Sequence, residues 1–234
     1  MGRLILIPNF IDNSSQPENF LSPSSLLLIE KIKTFIVEDE RTTRRSLRKM
    51  GYKGNFDEVE MLLMDKYNKD FSKYLDNISE SDIGLISEAG LPCIADPGAK
   101  IVAIAHRKYI QVVPLCGPSS IFLALMASGM NGQSFAFNGY LPIARKDRER
   151  QIVFFEGIAQ KRQQSQIFIE VPYRNNHLFQ SFLEVCQPET MLCVASNLTQ
   201  QDEFIKTLKM AEWRKQNIDI YKKNTVFILN SSIF

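Results

Sequence analysis

Residues 83–98, Ile83-Gly-Leu-Ile-Ser-Glu-Ala-Gly-Leu-Pro-Cys-Ile-Ala-Asp-Pro-Gly98, place a short apolar strand directly before a loop rich in glycine and proline. Gly90 permits a positive φ or the close approach of a ligand, and Pro92 and Pro97 restrict the chain on either side. Asp96 can contact a ligand or act as N-cap of a following helix. Because α/β proteins bind ligands at the carboxyl ends of parallel strands, this stretch predicts a preformed binding loop.

Strands and helices alternate around this loop in the first half of the chain. The predicted strands cover Arg3–Ile7, Thr34–Val37, Ile83–Ser87 and Ile110–Pro114. The predicted helices cover Pro23–Lys31, Glu40–Met50, Asp65–Asn77, Lys100–His106 and Ser119–Ser128. Ser22 and Pro23 are a typical N-cap and first helical residue, and Gly51 is a typical helix stop. The alternation predicts a largely parallel sheet covered by helices.

The pattern restarts after the break at Gly129-Met-Asn-Gly132. Further strands are predicted over Phe135–Tyr140, Gln166–Glu170, Met191–Ser196 and Thr225–Asn230, and helices over Arg145–Ile158, Asn175–Val185 and Met210–Gln216. The fold class is therefore expected to be α/β, with an N-terminal α/β domain at 1–132 and a C-terminal α/β domain at 133–234.

Composition and motifs exclude several classes of protein. The 234 residues carry 28 Lys plus Arg against 26 Asp plus Glu, a formal charge of +2, and 44% are hydrophobic, as in folded globular proteins. No apolar run approaches the roughly 18 to 20 residues of a membrane helix, and no signal peptide precedes the first strand, so no membrane contact and a cytoplasmic location are expected. The four cysteines and two histidines lack metal-ligand spacing, so no metal site is expected. Neither a Gly-x-x-x-x-Gly-Lys phosphate loop nor a Gly-x-Gly-x-x-Gly fingerprint occurs.

A second turn, Cys116-Gly-Pro-Ser-Ser120, follows the strand that ends at Pro114. The hydroxyl groups of Ser119 and Ser120 enter a predicted helix there. Each can donate a hydrogen bond to a ligand or cap the helix.

A set of segments in a fixed order carries a family resemblance. The segments are Glu38–Arg41, Ser87–Gly98, Val113–Ser120, Ser128–Gly129, Phe137–Pro142, Phe168–Arg174 and Thr225–Leu229. Together they resemble the tetrapyrrole methylase superfamily of S-adenosylmethionine (SAM) enzymes, and within it the bacterial branch that methylates a ribose 2′-hydroxyl of small-subunit ribosomal RNA. The resemblance implies two α/β domains with SAM in the cleft between them, a homodimer, and ribosomal RNA or the small subunit as partner.

The resemblance also implies site residues, carried over position by position. The implied cofactor-binding residues are Pro8, Ala89, Gly90, Leu91, Ile94, Ser119, Ser120, Val171 and Ala195. The implied catalytic residues are Glu38, Asp39, Arg41, Glu170 and Arg174.

Methyl transfer from a sulfonium depends mainly on positioning, because the sulfur is already a good leaving group. A ribose hydroxyl needs a base, for which Glu38, Asp39 and Glu170 are candidates. Arg41 and Arg174 can hold a phosphate or stabilise developing negative charge. The alternative for Glu38 and Asp39 is an ordinary surface ion pair with Arg41 or Arg44.

Two segments depart from the pattern of the RNA-modifying branch. Residues 8–13, Pro-Asn-Phe-Ile-Asp-Asn, replace Thr-Pro-Ile-Gly-Asn, and Asn197-Leu-Thr-Gln200 replaces Glu-Leu-Thr-Lys. Two alternatives therefore stand beside ribosomal RNA methylation: a methylase of a tetrapyrrole or other small molecule, and a divergent, weakly active SAM-binding or RNA-binding module. Basic runs at Arg41–Lys49 and Arg145–Arg162 can contact an RNA backbone or be ordinary helix surfaces.

Overall fold

A computed structural model describes residues 2–12, 15–65 and 70–231, and the chain divides into two compact units, Met1–Ser119 and Ser120–Phe234. Each unit is one five-stranded sheet with helices, so the α/β class and the two α/β domains are confirmed. The division lies before the helix that starts at Ser120, not at residue 132 as the sequence suggested. That helix belongs to the second unit because Ile121, Ala124 and Leu125 pack into the core of the second sheet.

The first unit has an all-parallel sheet. Its strands are β1 (Leu4–Ile7), β2 (Thr34–Val37), β3 (Glu60–Leu63), β4 (Ile83–Ile86) and β5 (Val112–Pro114), in the order β3-β2-β4-β1-β5. Its helices are α1 (Pro23–Glu30), α2 (Glu40–Lys49) and α3 (Ala99–Arg107). Ile5 and Ile7 face one core cluster and Leu4 and Leu6 face the other, as the two-residue repeat of a strand requires. Both faces of the sheet are thus buried, as is usual for parallel strands.

The direction in which strands are added changes at β1. From β1 the chain proceeds to β2 and β3 on one side of the sheet, returns through β4, and then places β5 on the other side of β1. The loops that follow β1, β4 and β5 are therefore neighbours at the carboxyl edge of the sheet. This is where open α/β sheets bind ligands.

The helix predicted over Asp65–Asn77 is wrong in the described part, and residues 66–69 of that prediction lie outside it. The structure has a short 3-10 helix, Ser72–Leu75, instead. The Tyr74 hydroxyl donates to the Leu63 carbonyl (3.0 Å) and accepts from the Asp65 N–H (2.9 Å). Tertiary contacts with the edge of the sheet, rather than helix propensity, therefore decide the conformation of this segment.

The second unit has a mixed sheet. Its strands are β6 (Phe135–Phe137), β7 (Ser165–Ile169), β8 (Met191–Ser196), β9 (Phe204–Lys209) and β10 (Thr225–Asn230), in the order β6-β7-β10-β8-β9. Its helices are α4 (Ser120–Ser128), α5 (Arg145–Arg162), α6 (Asn175–Val185) and α7 (Met210–Trp213). β6 and β7 are parallel, whereas β10 runs antiparallel to both β7 and β8, and β8 is antiparallel to β9. Within the described ranges, no helix has the length and apolar character needed to cross a membrane.

Candidate functional site

Asn9 links the loop after β1 to the loop after β4. Its backbone N–H donates to the Gly90 carbonyl (2.8 Å), and the Gly90 N–H donates back to the Asn9 carbonyl (3.2 Å). The Asn9 side-chain Nδ2 also donates to the carbonyls of Ser87 (2.8 Å) and Glu88 (3.2 Å). Because Asn9 is only 3% exposed, these bonds are shielded from water and fix the start of the binding loop.

Gly117 packs the loop after β5 against the loop after β1. A Cβ atom added at Gly117 would lie 2.0 Å from the Cβ and 2.4 Å from the Cγ of Pro8. Real Cβ atoms do not approach so closely, so only glycine fits here. Pro8 is buried, and it therefore forms part of the support of the site rather than an exposed wall.

The binding loop presents two side chains to solvent above a buried glycine. Gly90 is buried with φ +68°, while Ala89 is exposed, Leu91 is half-buried and Ile94 is 44% exposed. A Cβ at Gly90 would make only ordinary contacts, 3.4 Å from Ile11 Cγ2 and 3.5 Å from the Pro118 carbonyl oxygen. Glycine is therefore required for its backbone conformation, not for lack of space.

Replacing Gly90 by valine is expected to weaken binding of the SAM that the resemblance implies. A β-branched residue is strained at positive φ, and the strain displaces Ala89 and Leu91. The cost of the left-handed conformation is about 1–2 kcal/mol, which corresponds to a loss of affinity of roughly 5- to 30-fold if it falls on the bound loop. Isothermal titration with SAM measures the effect. Gly129→Val is the matched control, because Gly129 has φ +69° and no atom within 4 Å of an added Cβ. Equal affinities of the two variants would show that Gly90 does not shape the site.

Asp96 organises the rest of the binding loop from within. Its carboxylate accepts hydrogen bonds from the backbone N–H groups of Cys93 (2.8 Å) and Gly98 (2.7 Å). Cys93 and Ala95 adopt positive φ values of 70° and 63°. Gly98, not Asp96, is the N-cap residue of α3. The carboxylate therefore holds a loop conformation that side chains at these two positions would otherwise avoid.

The acidic segment after β2 is mainly a helix start. Asp39 is the N-cap of α2 and accepts from the Thr42 N–H (2.8 Å). This bond, with a second from the Thr42 hydroxyl, holds the pKa of the Asp39 carboxyl below its ordinary value, which makes it a poorer base. The Thr42 hydroxyl also donates to Glu88 Oε1 (2.7 Å), so the segments after β2 and β4 are joined as well. Glu38 is half-buried and Arg41 is exposed.

In the second unit, Glu170 and Arg174 form one ion pair. The Glu170 side chain is 1% exposed, and its Oε1 accepts from Arg174 Nη2 (2.6 Å) and from the Val171 N–H (2.7 Å). Arg174 is 28% exposed and closes the 3-10 helix Pro172–Arg174 that precedes α6. Its Nε is buried and has no hydrogen-bond partner among the described residues. Glu170 thus orients Arg174, and Arg174 is the member of the pair that a substrate can contact.

The remaining predicted cofactor residues differ in exposure. Val171 is 38% exposed, whereas Ala195 is fully buried in β8 and packs in the core beneath α4. Ser119 is 9% exposed at the end of the first unit, and Ser120 opens α4. The Ala195 side chain therefore has no exposed surface for a ligand, although the family resemblance implied that it binds the cofactor.

Much of the positive charge in the two basic runs is used within the fold. On α2, the Arg48 guanidinium lies 4.3 Å from the centre of the Phe56 ring and donates to the Tyr52 carbonyl (2.6 Å). On α5, Arg145 pairs with Glu149 (2.6 Å) and Glu184 (2.5 Å). Arg41 and Arg45 remain exposed on α2 and make no ion pair with any described residue. These contacts favour the helix-surface interpretation for most of both runs.

The chain is similar in sequence to a set of named bacterial proteins. It is 31% identical over 217 residues to ribosomal RNA small subunit methyltransferase I of Vibrio cholerae, and 30% identical over 210 residues to the protein of that name from Bacillus subtilis. The alignments cover 89% and 88% of this chain and 69% and 67% of the relatives, so the chain spans about two thirds of their length. No protein-family model matches. Among solved structures, the methyltransferase CobJ is similar with a TM-score of 0.63 over 98% of this chain and 94% of that one, and at 11% identity this likeness shows a shared fold.

Proposed function

Because the chain belongs to the ribosomal RNA small subunit methyltransferase I family of tetrapyrrole methylases, we propose that it transfers the methyl group of SAM to a ribose 2′-hydroxyl of small-subunit ribosomal RNA. The sequence identity across about nine tenths of the chain carries this proposal. The linked loops at the carboxyl edge of the first sheet support it, since they form a preformed ligand-binding edge.

The exposed surface of the binding loop is compatible with SAM. Ile94 and Ala89 supply apolar contact. Asn9 holds the backbone at Gly90, and Asp96 holds the backbone at Cys93 and Gly98. When bound, SAM supplies an activated methyl group on a positively charged sulfur. The protein then has to position reactants and exclude water, and positioning alone contributes on the order of 7–11 kcal/mol.

The charged residues divide between deprotonation and substrate positioning. We assign the general base to Glu38, because Asp39 caps a helix with a lowered pKa and Glu170 is buried against Arg174. Arg41 of the first unit and Arg174 of the second are each assigned to a phosphate of the substrate RNA.

Asn197, one of the two departures from the family pattern, has a defined structural role. It adopts φ +48°, its Nδ2 donates to Asp202 Oδ2 (2.8 Å), and its Oδ1 accepts from the Asn224 N–H (3.1 Å). A hydrogen-bonded turn thus replaces the charged residue of the family pattern at this position. Gln200 belongs to the same turn, because its N–H donates to the Asn197 carbonyl (3.0 Å). The other departure, at residues 8–13, includes Asn9, whose side chain supports the binding loop, and Asn13, which lies outside the described residues.

Bound SAM is expected to protect Cys116 from alkylation. Cys116 is exposed in the loop after β5, beside Gly117. Burial raises the pKa of Cys93 to about 12 and that of Cys193 to about 11, and it also raises the pKa of Cys186, so these thiols should react slowly with iodoacetamide at pH 8. SAM at ten times its Kd should slow the labelling of Cys116 by about tenfold, followed by mass spectrometry of peptides. Adenosine monophosphate at the same concentration is the ligand control. Unchanged labelling at full SAM occupancy would place the cofactor elsewhere.

We also propose a cytoplasmic location, where bacterial ribosomal RNA is modified, and a homodimer, as the family resemblance implies. Exposed apolar side chains of the second unit support an interface, among them Ile143 (73% exposed), Val153 (51%) and Phe154 (58%). Light scattering of Phe154→Asp should give a monomer where the wild type gives a dimer.

A further inference from the structure

Two exposed tyrosines lie side by side in the second unit. Tyr173 is 62% and Tyr221 is 47% exposed, and their ring centres are 5.9 Å apart at an interplanar angle of 73°. The Lys222 ammonium lies 5.8 Å from the centre of the Tyr173 ring and 5.4 Å from that of Tyr221. We call these three residues the tyrosine platform. Neither tyrosine belongs to a core cluster, so packing does not account for their position.

A backbone hydrogen bond between two separate segments holds the platform. The Lys222 N–H donates to the Pro172 carbonyl (3.0 Å), and this joins the turn before α6 to the turn before β10. Lys222 has φ +61°, an uncommon conformation for a residue with a side chain. A surface turn that holds a lysine in this conformation needs support from its surroundings.

Two asparagines at the start of α6 provide that support. The Asn176 Oδ1 accepts from the Ile220 N–H (3.0 Å), and its Nδ2 donates to Asp219 Oδ1 (2.8 Å). Asp219 in turn accepts from the Tyr221 N–H (3.0 Å). Asn175 is fully buried, and its Nδ2 donates to the Lys223 carbonyl (2.5 Å). The platform is therefore preorganised, and little conformational entropy is lost when a ligand binds it.

The groups that the platform presents are a pair of aromatic rings and one cation. In the described part of the chain, neither phenol hydroxyl makes a hydrogen bond and Lys222 makes no ion pair. Two carboxylates of the second unit have other partners: Asp219 accepts from Asn176, and Asp202 pairs with Lys223 at 3.4 Å. Rings that stack on bases, next to a cation that contacts phosphate, match single-stranded nucleic acid.

We propose that the tyrosine platform binds an unpaired base of the substrate RNA, with Lys222 on the neighbouring phosphate. Tyr173 directly precedes Arg174 in the same 3-10 helix. A base stacked on Tyr173 therefore contacts the residue next to the arginine that we assign to a substrate phosphate. The platform thus selects unpaired RNA and sets its register at the site. The choice of RNA as ligand rests on the proposed function.

The test is fluorescence anisotropy with a single-stranded ten-nucleotide RNA from the small subunit and with the same sequence as a duplex. Tyr173→Ala and Tyr221→Ala should each weaken single-strand binding by about 5- to 150-fold, the range for loss of one stacked base. Tyr173→Phe and Tyr221→Phe should stay within about twofold of wild type, because stacking needs the ring and not the hydroxyl. Lys222→Asn should lower the log–log salt slope by about 0.7, since asparagine tolerates positive φ and removes one phosphate contact.

Tyr109→Ala is the matched control. Tyr109 is 91% exposed at the amino end of β5, the edge of the first sheet opposite the binding loop. It should change neither RNA nor SAM affinity. Thermal unfolding of every variant should match wild type within about 2 °C, because exposed side chains contribute little to stability.

Three outcomes would overturn the platform: alanine variants that bind as wild type, phenylalanine variants that lose as much affinity as alanine variants, or a duplex that binds as well as the single strand. Methyl transfer is measured separately. If RNA binding depends on the tyrosines but no methyl transfer occurs, the proposed function is wrong and the platform stands. If methyl transfer is unchanged in both alanine variants, the proposed function stands and the platform is wrong.

Discussion

Replacing Arg174 by leucine is expected to lower the free energy of unfolding of the second unit by about 3–5 kcal/mol. Arg174 holds the Glu170 carboxylate at 2.6 Å, and that carboxylate is 1% exposed. Removing one partner of a buried pair leaves an uncompensated charge, which is among the costliest single changes in a protein. Urea unfolding followed by tryptophan fluorescence reports on this unit, because Trp213, the single tryptophan of the chain, is buried in its core.

The double variant Glu170→Leu with Arg174→Leu is the control for this prediction. It removes both charges together, so it should recover most of the lost stability. Glu170→Gln serves a different purpose, since its amide oxygen can still accept from the Val171 N–H. If Glu170 positions Arg174, this variant should stay folded, keep its affinity for SAM and lose at least about tenfold in turnover. An Arg174→Leu protein as stable as wild type would contradict the buried ion pair.

Gly117→Ala is expected to lower the affinity for SAM by at least tenfold and the stability of the first unit by about 1–3 kcal/mol, as overpacking does elsewhere. The added Cβ would overlap Pro8 at 2.0 and 2.4 Å. The proline ring cannot rotate away, so the loops after β1 and β5 must separate. Isothermal titration and thermal unfolding give the two quantities.

Gly132→Ala is the matched control, because a Cβ at Gly132 meets no atom within 4 Å. A Pro8→Gly change removes both overlapping atoms and should restore part of the affinity of the Gly117→Ala protein. If Gly117→Ala alone binds SAM as tightly as wild type, the contact between these loops does not form the site.

The buried strands and the capped helices could be predicted from the sequence, because each carries its own local signal. β2 and β4 are short, mostly apolar runs between polar turns, and α2 has Asp39 as its N-cap and ends before Gly51. The edge strands β3 and β9 were missed. β3 reads Glu-Met-Leu-Leu without a β-branched residue, and both are only half-buried, so their conformation comes from pairing with a neighbour. Nothing local in β10 indicates that it runs antiparallel between β7 and β8.

The residues of the candidate site divide in a similar way. The loop role of Gly90 could be predicted because its segment is rich in glycine and proline. The roles of Asn9 and Gly117 could not, because they depend on contacts between loops that are far apart in sequence. At residues 8–13 the chain lacks the glycine of the family pattern. The structure shows that Asn9 in this segment makes four hydrogen bonds to the loop after β4. An asparagine two residues after a buried strand was the available signal. Glu170 acts as a positioning group rather than a base because its side chain is buried. The burial of a single side chain cannot be read from one sequence.

Mass spectrometry of ribonucleosides tests whether the protein methylates small-subunit ribosomal RNA. Small subunits from cells that lack this gene would be incubated with the purified protein and SAM, and their RNA digested to nucleosides. We expect one new 2′-O-methylated nucleoside that is absent without SAM and present in RNA from cells that keep the gene. The proposed function is wrong if the ribosomal RNA gains no methyl group while the protein binds SAM and methylates a tetrapyrrole or nothing.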